Sequence, residues 1–232
     1  MSAATQFQYV GSELAIFEKA RKWKSYWRDE IAPYVRGDVL EVGAGIGANT
    51  KLLGQLGFDS WTALEPDLRL AAQIEPASSR HRTIVGTISD LNERFDAVLY
   101  IDVLEHIEDD RTELMRAAER LRPAGTLIVL SPAHPFLFTP FDGAIGHYRR
   151  YTRSSLASAA PGCMRPLRIA YLDSVGMLAS AGNRLLLNSA MPTERQILAW
   201  DRLLIPISRA IDRLFAGRVG KSVLGIWRRE NR

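Results

Sequence analysis

The chain has 232 residues, of which 47% are apolar, and it contains a single cysteine, Cys163. This apolar content can fill a sizeable core at this length, and one cysteine excludes an internal disulfide and is typical of a reducing compartment. Nine basic and three acidic residues between Arg195 and Arg232 give that end a charge of +6, so residues 1–194 carry −2 of the net +4 and are not a nucleic-acid-binding surface by charge.

The first part of the chain has the pattern of a helical leader. It lacks the basic start and apolar run of a signal peptide. Apolar residues instead recur at helical spacing, at Ile16, Trp23, Trp27 and Ile31. We therefore predict an N-terminal helical lid over residues 1–36. No membrane-spanning helix is expected, because residues 123–141, the longest stretch without Asp, Glu, Lys or Arg, contain four prolines.

Strand-like and helix-like segments alternate in the next hundred residues. The strand-like segments read DVLEVG, SWTALEP, HRTIVG, FDAVLYI and AGTLIVLSP. The helix-like segments read GANTKLLGQLG, DLRLAAQIE and DDRTELMRAAERL. Such alternation predicts an α/β fold with helices on both faces of a mostly parallel sheet, whose ligands bind at the carboxyl ends of the strands.

The first strand runs into a glycine-rich turn, VLEVGAGIGANT, which is a typical way to bring bare backbone up to a nucleotide. Gly43, Gly45 and Ala48 fit the dinucleotide pattern G-x-G-x-x-A, and Glu65 follows about twenty residues later, where an acid would accept ribose hydroxyls. The same turn, from Glu41 to Gly47, also reads E-x-G-x-G-x-G. The turn alone fits two sequence patterns, so it does not decide which cofactor binds.

Four segments between Asp38 and Pro132 decide between these templates. The turn, ALEPD, RFDAVLYIDVLEHIEDD and LRPAGTLIVLSP occur in the order of the motifs of class I methyltransferases, which bind S-adenosylmethionine (SAM). The chain resembles that Rossmann-like family. The resemblance implies a seven-stranded sheet whose last strand runs antiparallel, with KSVLGIWRR as that strand. It also implies a SAM-binding domain over residues 37–232, with a helical insertion at about 174–220.

The resemblance assigns cofactor roles to individual residues. The glycine turn would pass under the methionine and ribose of SAM, Glu41 would shape the turn or help to hold the methionyl amine, and Glu65 would bind the ribose hydroxyls. The remaining cofactor contacts would come from Pro66, Gly86, Thr87, Ile101, Asp102, Leu104 and His106, besides Gly43, Ala44, Gly45 and Gly47 of the turn. No metal is expected.

A long loop rich in Pro, Gly and aromatic residues, AHPFLFTPFDGAIGHYRRYT, follows the fifth strand. Its GHYRRYT segment is similar to a G-H-x-R-R-Y stretch in bacterial methyltransferases often associated with glycan or glycolipid assembly. We predict His147 and His134 as candidate bases for an acceptor hydroxyl. Substrate contacts are predicted for Tyr148, Arg149, Arg150 and Tyr151. The alternative is structural: the arginines pair with acids of the body, His147 orders the loop and His134 braces a turn.

The spacing of apolar residues over 194–216 predicts two amphipathic helices, with a capping box at Thr193 and Gln196 and a break near Pro206. Their apolar residues either face the core or, with Arg202, Arg209 and Arg213, meet a membrane surface. A cytoplasmic protein that is peripheral at the inner face of the membrane is compatible with this pattern. The remaining partner would be a small-molecule or glycan acceptor.

These observations predict an enzyme that methylates an oxygen atom of a glycan, a glycolipid or an anionic small molecule, using SAM and yielding S-adenosylhomocysteine. A small phenol or carboxylic acid is the second acceptor class. Two alternatives remain: an NAD-dependent oxidoreductase, which shares the glycine turn and Glu65, and a non-catalytic SAM-binding or membrane-peripheral protein.

Overall fold

The computed structural model describes residues 8–9, 11, 14–76, 78–186 and 193–230. The described residues form one sheet of seven strands in the order β3-β2-β1-β4-β5-β7-β6. The strands are β1 (Asp38–Val42), β2 (Ser60–Glu65), β3 (His81–Val85), β4 (Phe95–Ile101), β5 (Leu121–Pro132), β6 (Met164–Leu172) and β7 (Ser222–Arg229). Only β7 runs against its neighbours, β5 and β6. The predicted mostly parallel sheet with an antiparallel last strand is confirmed.

Ten α-helices are found in the described residues. They are α1 (Leu14–Phe17), α2 (Arg21–Ile31), α3 (Ala48–Leu53), α4 (Leu68–Ala71), α5 (Asp110–Glu119), α6 (Pro140–Ala144), α7 (Arg153–Ala159), α8 (Ser174–Leu186), α9 (Glu194–Ala199) and α10 (Ile205–Leu214). A π-helical turn, Trp200–Leu204, joins α9 to α10, and Pro206 lies in the first turn of α10, where its missing N–H is not needed. None of the helices formed by described residues is long and apolar enough to cross a membrane.

The strand order places the ligand-binding edge between β1 and β4. The chain moves outward from β1 through β2 to β3 and then returns to β4, so the loops after β1 and β4 diverge at this point and leave a crevice. Because β7 is antiparallel, its first residue, Ser222, pairs with Pro132 at the end of β5. Residues that precede β7 therefore reach the same edge as the loops that follow β1, β4 and β5.

Two apolar layers cover the two faces of the sheet. One contains β-strand residues together with Trp23, Trp27 and Ile31 of α2, and the other contains residues of α5 and α7. Trp27 is 1% exposed, so α2 belongs to the core as well as covering the crevice. Strands β1 and β4 are covered on both faces, which explains their nearly continuous apolar sequences.

Buried aspartates fasten the helices before β7 to the leader. Asp201 accepts hydrogen bonds from the backbone N–H groups of Lys22 (3.2 Å) and Trp23 (2.8 Å) at the start of α2. Asp212 accepts the hydroxyl of Tyr26 at 2.9 Å. These carboxylates satisfy N–H and O–H groups that would otherwise be buried without partners. The inner face of residues 194–216 is therefore packed against protein.

Candidate active site

The glycine turn after β1 has a backbone that only glycine adopts without strain. Gly43, Gly45 and Gly47 have φ values of 68°, 58° and 79°. A Cβ on Gly43 would lie 2.6 Å from a methyl carbon of Val103. The turn is thus pressed against the loop that follows β4, which brings its backbone to the crevice.

The carboxylate of Glu65, at the end of β2, holds this turn in place. One of its oxygens accepts the N–H of Gly45 at 2.8 Å, and the other accepts the N–H of Asp67 at 2.9 Å. Burial is the first cause of a raised pKa of Glu65, and the two backbone N–H groups act in the opposite direction. Glu65 therefore lies beside the turn, as the nucleotide pattern predicts.

Glu41 lies beneath the turn and is 2% exposed. Its Oε2 accepts the hydroxyl of Thr50 at 2.6 Å and the indole N–H of Trp61 at 3.0 Å. Burial raises the pKa of Glu41 to about 7, although both hydrogen bonds favour the charged form. Of the two roles predicted for this residue, these contacts support shaping of the turn.

We expect the free energy of unfolding of the Glu41→Gln variant to depend less on pH than that of the wild type. The folded-state pKa of Glu41, about 7, lies above the ordinary value of 4.5, so its charge opposes folding at high pH; this penalty is full above pH 7, decreases as pH falls below 7 and is absent below about pH 4.5. The difference in unfolding free energy between variant and wild type should grow in favour of the variant by about 2–3 kcal/mol from pH 5 to pH 8. Urea unfolding at both pH values measures it. A difference in unfolding free energy that stays constant between pH 5 and pH 8, as expected for the exposed control Glu75→Gln, would contradict the raised pKa of Glu41.

A cavity of about 590 Å³ opens beside the turn. Charged side chains from four parts of the chain line it: Glu18, Lys24, Asp102, Glu105, Asp142, Arg150 and Lys221. Apolar side chains of the leader, the loop after β5 and the helices before β7 also line it: Phe17, Trp23, Trp27, Phe141, Ile197 and Leu203. The cavity therefore offers both charged and apolar groups to a ligand.

Asp102 begins the loop after β4 with a positive φ of 55°. It faces the open cavity yet is surrounded by protein, and this burial raises the pKa of Asp102 to about 6. Positive charge on His147, Lys24 and Lys221 opposes that rise. Lys24 and Lys221 in turn have pKa values lowered, first of all by burial.

The loop after β5 is organised by Asp142, which is 1% exposed. Its Oδ1 lies 3.0 Å from Nδ1 of His147, and its two oxygens accept Nε and Nη2 of Arg150 at 2.8 and 2.9 Å. These bonds hold the pKa of Asp142 well below its usual range against the effect of burial. A carboxylate can only accept, so Nδ1 of His147 carries the hydrogen of this bond, and in the neutral ring the lone pair lies on Nε2.

His147 faces the cavity, as predicted for a base. Its side chain is 7% exposed, and its Nε2 lies 3.9 Å from Oε1 of Glu105. The ring of His106 meets the ring of His147 edge-on, with centroids 4.4 Å apart. Burial lowers the pKa of His106 to about 4. Glu105, His106 and His147 are also the residues whose ligand atoms approach closely enough to hold a metal ion.

The structure contradicts the prediction that His134 is a base. Nε2 of His134 lies 3.0 Å from the carbonyl oxygen of Gly220, and the ring packs on Tyr171 with centroids 4.5 Å apart. His134 is not part of the cavity lining among the described residues. It braces the start of the loop against the segment before β7, which is the structural alternative.

Three predicted substrate contacts also lie away from the cavity. Tyr151 is 2% exposed and donates its hydroxyl to Asp110 at 2.7 Å, so its ring cannot stack on an acceptor. Arg149 pairs with the same aspartate at 2.9 Å, and Tyr148 is 55% exposed beneath Arg149. Of the four residues, Arg150 alone lines the cavity.

The predicted cofactor residues divide into two groups. Gly43, Ala44, Gly45, Ile101, Asp102 and His106 line the cavity. Leu104 does not, because it is fully buried in the core, and the prediction that it lines the methionine side is wrong. Glu41, Gly47 and Glu65 are also outside the lining. Pro66, Gly86 and Thr87 follow β2 and β3 outside the cavity, and Thr87 donates its hydroxyl to Asp90 at 2.9 Å.

Sequence reasoning missed Asp142, Lys24 and Lys221. Lys221 directly precedes β7, and an antiparallel last strand necessarily begins at the ligand-binding edge, so the topology carried this signal. Asp142 stands five residues before His147, but no periodic pattern marks a carboxylate inside an irregular loop. Lys24 faces the cavity from α2, whose apolar stripe gives no sign of it.

Residues 17–163 match the model of a family described as a methyltransferase domain. The chain is 30% identical over 129 residues to the demethylmenaquinone methyltransferase of Tropheryma whipplei (strain Twist), covering 53% of this chain and 51% of that protein. It is 31% identical over 110 residues to the ubiquinone biosynthesis O-methyltransferase of Paramagnetospirillum magneticum, covering 44% of each. This chain thus spans about half the length of the curated relatives that it matches.

Solved structures resemble the whole fold. N-methyltransferase NodS from Bradyrhizobium japonicum WM9, in complex with S-adenosylhomocysteine, superposes with a TM-score of 0.59 at 15% identity, covering 93% of this chain and 88% of NodS. A chain from the complex of the Haloferax volcanii Trm112 methyltransferase activator with a proposed methyltransferase superposes with a TM-score of 0.64 at 14% identity, covering 96% of this chain and 98% of that chain. The [4+2]-cyclase SpnF superposes with a TM-score of 0.59 at 15% identity, covering 88% of this chain and 80% of SpnF. At such identities the likeness establishes the fold.

Proposed function

Because the chain belongs to the methyltransferase domain family, we propose that it transfers a methyl group from SAM to an oxygen atom of an acceptor that carries an apolar tail. The observation that carries this proposal is the position of His147. A histidine aligned by a buried carboxylate faces the same cavity as the glycine turn.

SAM would lie along the carboxyl edge of the sheet. The backbone of Gly43 to Gly45 lines the cavity, and Glu65 stands beside the turn, where its carboxylate can accept ribose hydroxyls. Asp102 and Ile101 then lie on the methionine side, with Asp102 as an acceptor for the methionyl amine. Pro66 and Thr87 extend the same edge for the adenine.

Methyl transfer then needs an acceptor oxygen in line with the bond between sulfur and the methyl carbon. The acceptor hydroxyl gives its proton to Nε2 of His147 while its oxygen forms the new bond to the methyl carbon. The bond to sulfur breaks with its electron pair, which leaves neutral S-adenosylhomocysteine. Asp142 stabilises the imidazolium that forms, because it already holds Nδ1 at 3.0 Å.

The lining of the cavity favours a particular acceptor shape. Aromatic and aliphatic side chains line the same cavity as the charged groups. An acceptor with a hydroxylated ring near the charged groups and an apolar tail against the apolar side chains would satisfy both, whereas a bare glycan has no apolar tail to bury against Trp23 and Trp27. The names of the relatives, demethylmenaquinone methyltransferase and ubiquinone biosynthesis O-methyltransferase, lend support to a quinone-like acceptor.

The outer face of the helices before β7 supplies a route for such an acceptor. Leu203, 64% exposed, belongs to the cavity lining and therefore lies at its mouth. Ile207, Leu214 and Phe215 are 49%, 84% and 51% exposed on the following helix and its end. Arg202 and Arg213 are exposed among them. We propose that residues 194–216 contact an anionic lipid surface from which the acceptor enters.

Methyl transfer to synthetic acceptors tests this function. We expect release of S-adenosylhomocysteine with a quinol that has one free ring hydroxyl and one isoprenoid unit, presented in anionic vesicles. The kcat/KM should exceed that of the tailless ring at least about tenfold, since each buried methylene contributes about 0.8 kcal/mol. Mass spectrometry should place the methyl group on oxygen. If only sugar nucleotides or lipid-linked glycans are methylated, the proposed acceptor class is wrong. If calorimetry shows binding of NAD and no binding of SAM, the proposed cofactor is wrong.

A further inference from the structure

Three potential metal ligands meet in the lining of the cavity. Glu105 and His106 are consecutive residues in the loop after β4, and His147 reaches them from the loop after β5. One ligand atom of each residue lies within 4.8 Å of the other two. Nε2 of His147 and Oε1 of Glu105 are 3.9 Å apart. Their separation exceeds a hydrogen bond, so these two groups do not satisfy each other.

Glu105 has a buried oxygen without a partner. The residue is fully buried, and its Oε2 accepts the hydroxyl of Ser131 at 2.9 Å. Its Oε1 has no hydrogen-bond partner among the described residues, although it lies 3.9 Å from Nε2 of His147. A buried carboxylate oxygen is costly to leave unpaired, and such an atom often marks a missing ion. A cation between the three side chains would satisfy it.

The three side chains are already oriented by other groups, as metal ligands usually are. Asp142 holds Nδ1 of His147 and so directs Nε2 toward Glu105. The ring of His106 is held edge-on by the rings of Tyr9 and His147, with centroids 5.6 and 4.4 Å away. Ser131 fixes the carboxylate of Glu105. A carboxylate behind a histidine ligand and a hydroxyl behind a carboxylate ligand are the outer contacts that metal sites commonly have.

We propose that Glu105, His106 and His147 bind one divalent transition-metal ion in the cavity. Two imidazoles and one carboxylate suit Zn²⁺, Fe²⁺, Mn²⁺ or Co²⁺ and leave at least one coordination position free. Bonds of about 2.0–2.2 Å to a tetrahedral ion separate neighbouring ligand atoms by about 3.3 Å, so small side-chain rotations would complete the site. The free position faces the cavity.

The surrounding charge favours an anionic oxygen as the additional ligand. The three basic residues of the lining, Lys24, Lys221 and Arg150, equal in number its carboxylates other than Glu105, which are Glu18, Asp102 and Asp142. One carboxylate therefore leaves a bound divalent ion with excess positive charge. Resting on the proposed function, the inference is that the acceptor hydroxyl releases its proton to solvent and binds this ion as an oxyanion. In the metal-loaded protein Nε2 of His147 is then a ligand, and the ion takes over its part in lowering the pKa of the hydroxyl.

Cobalt titration tests the site without any acceptor. Tag-free protein is freed of metal with a chelator, and Co²⁺ binding is followed by visible absorbance and calorimetry. We expect one Co²⁺ per chain, with the dissociation constant raised at least about tenfold in His106→Gln and Glu105→Gln. His81→Gln is the matched control, because His81 lies outside the cavity at Ser78, and it should bind Co²⁺ like the wild type.

Binding of S-adenosylhomocysteine and the thermal midpoint show whether each variant is folded. If Glu105→Gln does not fold, the test rests on Co²⁺ binding by His106→Gln. Equal Co²⁺ binding by wild type and His106→Gln, or an equal loss in His81→Gln, would overturn the proposal. If the protein transfers methyl groups in the presence of a chelator and binds no Co²⁺, the metal site is contradicted and the proposed function stands. If it binds Co²⁺ but methylates no acceptor, the proposed acceptor class is contradicted and the metal site stands.

Discussion

Replacing His147 by glutamine is expected to lower kcat by about two to four orders of magnitude, the usual contribution of a positioned acid–base group. Glutamine fills a similar space and can still hydrogen-bond Asp142, but its amide neither takes a proton nor binds a metal ion well. Because His147 approaches from the loop after β5, the glycine turn and Glu65 keep their contacts. The dissociation constant of S-adenosylhomocysteine should therefore change less than about threefold, and kcat should fall at least as much as kcat/KM.

His134→Gln is the control for this prediction, since it changes the same residue type in the same loop outside the cavity. It should retain kcat within about a factor of three once folding is verified. Retention of kcat by His147→Gln would sink the assignment.

The sheet and the glycine turn could be predicted because their signals are local. Apolar runs of fixed period set each strand, and Gly43, Gly45 and Gly47 mark a turn with positive φ. The order of four motifs then indicated the family, and the match over residues 17–163 confirms it. The position of Glu65 at the end of β2 could be predicted for the same reason, whereas its role as a ribose ligand stays a prediction.

The acceptor loop could not be predicted in the same way, because its side-chain directions depend on tertiary partners. GHYRRYT contains no periodicity that separates Arg150, which faces the cavity, from Arg149, which pairs with Asp110. Tyr151 is buried because the loop pairs with Ala133 as an isolated bridge, a contact that no local pattern encodes. The capacity of His106 and His147 to meet Glu105 likewise exists only once two loops converge.

Asp142→Asn is expected to destabilise the protein by about 3 kcal/mol at pH 7, the scale for breaking a buried ion pair. The aspartate receives two hydrogen bonds from Arg150, whose side chain is 10% exposed. It also accepts the backbone N–H and hydroxyl of Thr139 at 2.8 and 2.9 Å, which starts α6. Asparagine keeps the shape but leaves Arg150 as an uncompensated charge. The same variant should lower kcat, because Nδ1 of His147 loses the carboxylate that fixes its hydrogen.

The pH dependence of this loss follows from the direction of the pKa shift. The folded-state pKa of Asp142 is depressed, so its charge contributes stability that is fully present above the unfolded value near 4 and is lost as pH falls toward the folded value. The stability difference between wild type and Asp142→Asn should therefore shrink below about pH 4. Urea unfolding at pH 7 and pH 3.5 measures it. Glu93→Gln, which breaks an ion pair with Arg82 whose side chains are 54% and 48% exposed, should cost less than about 1 kcal/mol at either pH. A loss for Asp142→Asn no larger than that of Glu93→Gln would mean that the loop is ordered by its apolar contacts instead of by this carboxylate.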